Sequence, residues 1–456
     1  MKNHPNDLTR RKFLLTTTTV ALASPLVYLP TSAKPAKNKL AHACIGVGGM
    51  GGYDLQQFMA HPGVEIVAIC DVDSNILDKA AELVPNARKY TDWRELLKKE
   101  KNNIDSINVS VPDHNHFIIS NEALAKGKHV YCQKPLCHDV AEIRELTHAA
   151  AKKGLVTQLG TQHASGEGDR TAVQLIKQGV IGKIKNVYLC SNRPGATEAY
   201  RFKGPRPAQG QEPPAHLDWD LWVGTAPMRP YAPEIYHPAK WRAWQDFGTG
   251  WSGDIGCHIF DAVWKGLDLE SPLSVQARVQ QSWEDSPERR ADTWPQSNHI
   301  TWMFPGNEMT EGAQLQVEWF DGEFYPPEEV RALYSLEDYP AESAMLLGTE
   351  GALLIPHTQM PILLPAAKFK EVQFPTLSPR NHYHHFVDAC LGGEPTESNF
   401  AQAGPMTEAI ILGTVALREP NRVLEWDAIK MKIPNHPAAE KYLRREYRRG
   451  WKVEGF

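Results

Sequence analysis

The chain has 456 residues, 42% of them hydrophobic and 23% charged, the make-up of a globular protein with room for two domains; a disordered or collagen-like chain is excluded. Lys plus Arg (49) nearly balances Asp plus Glu (54), for a net charge of -5, and no long basic run follows the N-terminus. Sequence-independent nucleic-acid binding is therefore excluded, and the expected partner is a small molecule. The seven cysteines, Cys44, Cys70, Cys132, Cys137, Cys190, Cys257 and Cys390, form no C-x-x-C pair and are odd in number. They suggest neither a disulfide framework nor a structural zinc site, and are expected to act as small buried apolar residues.

Residues 1–33 read as a targeting segment. Arg10-Arg11 precede an apolar stretch from Leu14 to Pro30, which ends in the small residues Thr31-Ser32-Ala33, the order of a twin-arginine (Tat) export signal. Residues 34–40 read as a linker. From there short apolar runs alternate with helical stretches, the pattern of a parallel sheet wrapped by helices. Strands are predicted at Ala43 to Val47, Val64 to Cys70, Ile104 to Val111, His129 to Cys132 and Val156 to Gly160. Helices are predicted at Ser74 to Val84, Thr91 to Lys99, Asn115 to Lys126 and Asp139 to Lys153, each opened by a residue able to cap free N–H groups. Residues 41–160 thus read as a doubly wound α/β domain. A Pro- and Trp-rich stretch from Arg193 to Thr249 follows, then alternating runs at Leu273 to Gln280, Ser297 to Phe304 and Ala313 to Phe320. Residues 161–430 are read as an α+β domain with an open, largely antiparallel sheet, and 431–456 as a C-terminal extension.

Three constellations carry chemistry. Gly46-Val47-Gly48-Gly49-Met50-Gly51 is a G-x-G-x-x-G between a strand and a helix, where glycines let a pyrophosphate approach the helix N-terminus. Asp71 follows the second strand, 20 residues beyond Gly51, the place of a carboxylate that accepts from ribose hydroxyls. That acid would repel a 2′-phosphate, so NAD is favoured over NADP. The second constellation is Tyr131-Cys132-Gln133-Lys134-Pro135-Leu136, at the carboxyl edge of the predicted sheet. Lys134 there could hold a substrate oxygen and favour its alkoxide as hydride leaves carbon. The third is Asp254 and His258, spaced i, i+4 on one helix face, where an imidazole is suited to taking a hydroxyl proton. The pair could also be a salt bridge or half a metal site; His237, His382, His384 and His385 offer no convincing third ligand, and no metal is assigned.

Taken together, the glycine loop, the Lys-Pro after the fourth predicted strand and the Asp-x-x-x-His of the second domain resemble the glucose–fructose oxidoreductase / inositol dehydrogenase (Gfo/Idh/MocA) family, from about Lys39 to Leu417. Val111-Pro112-Asp113-His114-Asn115-His116 is similar to the family's segment beside the cofactor ribose. Gly348-Thr349-Glu350-Gly351 and Phe386-Val387-Asp388-Ala389 extend the match. The resemblance implies an active-site trio of Lys134, Asp254 and His258, with His258 as proton acceptor and donor. It also implies a cofactor site including Gly46, Gly48, Gly49, Met50, Gly51, Asp71, Pro112, His116 and Lys134. One departure is Gln133, where the family commonly has Glu. The active-site lysine is retained, which argues against the related NAD-dependent N-acetylgalactosaminidase-like group.

Six of the thirteen tryptophans fall between Leu217 and Trp264. Most read as core or interface, but Trp241 and Trp244 are flanked by polar residues and could stack on a sugar, with Arg242, Asp246 and His237 binding its hydroxyls. The leading expectation is an enzyme that oxidises or reduces a secondary hydroxyl of a carbohydrate or polyol with NAD. A glycosidase using transient oxidation is the first alternative and a non-catalytic dinucleotide-binding sensor the second. An exported enzyme has no free NAD pool, so the dinucleotide is expected to stay bound through the cycle. A homo-oligomer and passage through the Tat machinery, ending in the periplasm, are also expected.

Overall fold

The computed structural model describes residues 39–193, 206–453 and Phe456. The predicted export signal and most of the linker lie outside the described residues, as does part of the Pro- and Trp-rich stretch.

The first half is a six-stranded parallel sheet. Its strands are β1 (Leu40–Ile45), β2 (Val64–Cys70), β3 (Arg88–Tyr90), β4 (Ser106–Val109), β5 (His129–Cys132) and β6 (Thr157–Leu159), in the order β3-β2-β1-β4-β5-β6. That order reverses direction between β1 and β4, which opens a crevice at the carboxyl edge of the strands where such folds bind ligands. The helices are α1 (Met50–Met59), α2 (Ser74–Leu83), α3 (Trp93–Lys99), α4 (His116–Ala125) and α5 (Val140–Lys153). Asp73, Asp92 and Asp139 cap α2, α3 and α5 by accepting from backbone N–H groups of the first turn. Strand β1 stops two residues short of its predicted end, because Gly46 takes φ +81° and turns the chain. Strand β3 was not predicted; with only three residues at the sheet edge it shows no period to read.

The second half is an eight-stranded sheet, formed by β7 (Ile184–Ser191), β8 (Ser274–Val279), β9 (Asn298–Pro305), β10 (Gln314–Asp321), β11 (Glu342–Gly348), β12 (Ala352–Pro356), β13 (Ile362–Leu364) and β14 (Leu424–Glu425). The order is β13-β12-β11-β7-β10-β9-β8-β14, antiparallel except for the parallel pair β7 and β10. Its helices are α6 (Glu167–Lys177), α7 (Trp219–Val223), α8 (Gly250–Gly266), three one-turn helices α9 (Gln281–Glu284), α10 (Pro287–Arg290) and α11 (Glu328–Arg331), then α12 (His382–Cys390) and α13 (Phe400–Arg418). Helix α13 is long and apolar enough to cross a membrane by composition, yet it is packed inside the fold against α5 and α8. Through it the two halves share one continuous apolar cluster, reaching from Ala43 of β1 to Trp451 near the C-terminus.

All seven cysteines are free and only Cys390 is even partly accessible, so they fill space as expected. Residues beyond 430 fold back onto the parallel-sheet half. Arg445 donates to Glu142 Oε1 at 2.6 Å and to the His114 carbonyl at 2.5 Å, and Tyr447 donates its hydroxyl to the same Glu142 oxygen. This buttress holds the loop after β4, which lines the crevice.

Candidate active site

The glycine loop is crowded on its inner side. A Cβ on Gly46 would stand 2.3 Å from the Ser110 carbonyl oxygen, and one on Gly51 2.2 Å from that of Gly46. Gly49 has nothing near it, and as the N-cap of α1 it brings no side chain to that helix's first turn, which leaves the approach to the N-terminus open. Such an N-terminus suits a pyrophosphate. Asp71, just past β2, accepts from Val47 N at 2.9 Å and Asp73 N at 3.0 Å, so the loop backbone fixes its carboxylate. Burial first, offset by those hydrogen bonds, raises its pKa. These residues fit a dinucleotide: amides for its phosphates, an acid for its ribose.

At the other end of the crevice, Lys134 follows β5 and donates its ammonium to Asp254 Oδ1 of α8; the Arg242 guanidinium lies 3.3 Å from Asp254 Oδ2. His258 stands one turn further along α8. Burial, then the nearby Lys134 charge, holds its pKa well below the ordinary value, so the ring is a neutral acceptor at pH 7. Its Nδ1 is buried and has no hydrogen-bond partner among the described residues. Asp113, in the turn after β4, accepts from Thr249 Oγ1 at 3.0 Å. Burial and the negative charge of Asp254 push it up to about 7, against the pull of Arg242 and Lys134. Two carboxyl groups and two cations thus meet beside a neutral imidazole. Among the described residues no group of three His, Cys, Asp or Glu side chains is placed to hold a metal ion.

Residues 40–161 match the family model described as the oxidoreductase family with an NAD-binding Rossmann fold, and residues 168–310 match that family's C-terminal alpha/beta domain. The chain belongs to the Gfo/Idh/MocA oxidoreductase family. Among curated proteins it is similar to the alpha-N-acetylgalactosaminidase of Shewanella oneidensis, 27% identical over 207 residues, which are 39% of this chain and 45% of that protein. It is also 29% identical over 149 residues to a glycosyl hydrolase family 109 protein of another Shewanella, 31% of this chain and 32% of the relative. The match thus spans a third to under half of these relatives' length. Solved structures share the fold: the WlbA dehydrogenase of Bordetella pertussis, in complex with NADH and UDP-GlcNAcA, has a TM-score of 0.59 at 15% identity, covering 86% of this chain and 99% of that one. An inositol dehydrogenase homolog of Azotobacter vinelandii, complexed with NADH and myo-inositol, has a TM-score of 0.56 at 15% identity, covering 85% and 98%.

Within this Gfo/Idh/MocA fold the structure sorts the predicted residues. Lys134, Asp254, His258 and Arg242 come together, and Trp241 lies under the Arg242 guanidinium at 4.3 Å. Trp241 and Trp244 are each only 6% exposed, and the Trp244 indole donates to the Ile235 carbonyl, so both pack in a satellite aromatic core; Trp244 as a sugar platform is corrected. Asp246 accepts two hydrogen bonds from the fully buried Arg229, a charge it shares with Asp292. His237 stands at the adenosine end, 3.6 Å from Asp73, and not with the trio. His116 is buried, with Nδ1 2.7 Å from the Pro135 carbonyl and Nε2 2.8 Å from that of Val111. Burial opposes its charge, but these carbonyls and Cys132 outweigh it and raise the pKa. It therefore clamps the Lys134 loop to the β4 loop. Pro112 opens the turn that carries Asp113, and Met50 begins α1, 41% exposed.

The Gln133 departure has a local reason. Its amide donates to both oxygens of buried Asp54 at 3.0 and 2.9 Å, and Asp54 also accepts from Ser110 Oγ and the Tyr383 hydroxyl, each at 2.6 Å. A carboxylate at 133 would face another one. Sequence reading missed Asp113, Thr249 and Asp54. Asp113 lay inside a motif already noted, but Pro112 and His116 drew the assignment.

Proposed function

We propose that this protein transfers hydride between nicotinamide and a secondary carbinol carbon of a carbohydrate or polyol. The observation that carries the reading is the meeting of Lys134, Arg242 and Asp254 beside neutral His258, in the crevice that opens on the glycine loop. NAD supplies the hydride acceptor when bound. Lys134 polarises the substrate oxygen, Asp254 and Arg242 fix the ammonium and a neighbouring hydroxyl, and His258 takes the hydroxyl proton.

The cofactor is proposed to stay bound through the cycle. Support comes from residues 206–249, which cross the crevice: Ser74 N donates to the His216 carbonyl at 2.8 Å and Asp218 N to that of Val72 at 2.9 Å, over the loop that carries Asp71. At the β4 loop, Thr225 Oγ1 donates to the His114 carbonyl at 2.6 Å. A covered dinucleotide suits an enzyme exported with its cofactor, as Arg10-Arg11 suggest; carriage by the Tat machinery and a periplasmic site are part of this proposal. Self-association is proposed as well, on the exposed Tyr325, Leu333, Tyr334 and Leu336.

A second reading, a glycosidase acting through oxidation at sugar carbon 3, elimination, hydration and re-reduction, is favoured by the curated glycosyl hydrolase relatives. Purified protein incubated with glycosides in deuterated water, without added NAD, separates the two. A stable keto product without hydrolysis supports the oxidoreductase; hydrolysis with deuterium at carbon 2 supports the glycosidase. Strict dependence on added NAD would sink cofactor retention.

A further inference from the structure

Beside the site, the rings of His258, His357 and His163 form a triangle drawn from three separate elements: α8, the residue after β12, and the turn after β6. Ring centroids are 5.5 Å apart for His258 and His357, 4.8 Å for His357 and His163, and 6.3 Å for His258 and His163. His258 and His357 are half-buried and His163 is exposed. We infer that His357 and His163 carry the proton taken up by His258 out to solvent.

The inference rests on the hydride-transfer reading, in which each oxidation breaks one O–H bond, forms one N–H bond at His258, and must finally deliver one proton to water. Imidazolium is a poor resting place at His258, because burial and Lys134 disfavour it. Asp254 cannot easily receive the proton, since Lys134 and Arg242 engage its oxygens. A neutral imidazole accepts at one nitrogen and donates from the other, so it passes a proton along; these spacings need one bridging water or a small ring rotation.

The charges around the triangle point the same way. His258 faces Lys134 and Asp254, His357 faces Arg193, and His163 faces Glu342, which pairs with Arg193 at 3.6 Å. Lys134 disfavours a proton resting on His258, and Glu342 favours one on His163. Burial, then the neighbouring His163 and Arg193, lowers His357 to about 4, and burial also lowers His163, so both rings hand the proton on.

The test measures exchange of the His258 ring N–H with water, by NMR on NADH-loaded, 15N-histidine-labelled protein. His357→Gln and His163→Gln should each slow it by about tenfold or more, with the backbone amide spectrum unchanged and free imidazole restoring the rate. If His357→Gln loses the native spectrum, His357→Asn gives the same readout. Unchanged exchange in either variant overturns the relay. The measurement needs no substrate, so failure of the sugar reading, seen as no turnover of any sugar or glycoside, is distinguishable from failure of the relay.

Discussion

The two ends of the crevice handle charge in different ways. At the adenosine end the Asp71 carboxylate is held by two backbone amides, one from the glycine loop and one from two residues on. At the other end Asp113, Lys134, Arg242 and Asp254 come from four separate stretches of chain, and the central ion pair joins residues 120 apart. A site made from backbone is built where the sequence lies, and its geometry follows from a turn and a helix start. A site made from side chains depends on two sheets docking correctly, and each buried charge there must find its partner or lose its ionisation.

The sharpest way to break this comparison is to remove a member of the side-chain site. Lys134→Ala and His258→Ala should each lower turnover 10²–10⁴-fold, about 3 to 5 kcal/mol of barrier, while NAD titration by calorimetry shows the backbone-built end still binding. Loss of NAD binding in both variants would mean the two ends are one unit. Between them sits the Asp54–Gln133 pair. Gln133→Glu should destabilise the fold at pH 7 by about 1–3 kcal/mol, because the amide that satisfied Asp54 becomes a second carboxyl. Asp54 is already raised by burial. The pair must therefore hold a proton to fold, and the loss should shrink as pH falls. Thermal melts at several pH values check the sign. Asp71→Ala should weaken NAD by roughly ten- to a hundredfold, the worth of hydrogen bonds to a charged group, and narrow the preference over NADP.

The same contrast explains what was legible in the sequence. The glycine loop, Asp71 and five of the six parallel strands could be read because apolar runs and turn residues are local signals; Val64–Cys70 and His129–Cys132 even keep their predicted ends. Asp254 and His258 were readable as a helical i, i+4 pair. Asp113 was not, because its meaning comes from Thr249 and Asp254 across the domain junction. The polar neighbours of Trp244 suggested a sugar platform, yet Asp246 is spent on Arg229, itself invisible as a buried charge from sequence. Strands β7 and β11 to β14 escaped as well: β11 and β12 are runs buried on both faces with no alternation to read, β13 and β14 have only three and two residues, and β7 pairs with distant runs.

Asp113 offers a smaller effect with a definite sign. Its folded pKa, about 7, lies above the ordinary carboxyl value of 3.8, so the native state favours the protonated form. Wild-type stability from this group is present in acid and is lost as pH rises from about 4 through 7. Asp113→Asn removes that loss. The melting temperature of the variant should gain on wild type by roughly 2 °C across this window and match it in acid.

The smallest expected effect lies at the adenosine end. Asp73 caps α2 by accepting from Asn75 N and Ile76 N, and it also faces His216 at 3.7 Å and His237 at 3.6 Å from the covering segment. Asn is an equally good cap, so Asp73→Asn isolates the pairing with the two imidazoles. Such partly exposed pairs are worth about 0–1 kcal/mol. Burial lowers the His237 pKa, and only then do Asp73 and Asp71 pull it back, so at pH 7 that ring is neutral and the segment is held by its backbone hydrogen bonds. Dissociation of bound NADH, followed by its fluorescence, should therefore barely change at pH 7. In acid, once the imidazolium forms against Asp73, wild type should retain the cofactor longer than the variant by about fivefold. A variant that releases NADH rapidly at pH 7 would show that side chains, and not the backbone, hold this end of the crevice closed, and the contrast between the two ends would fail.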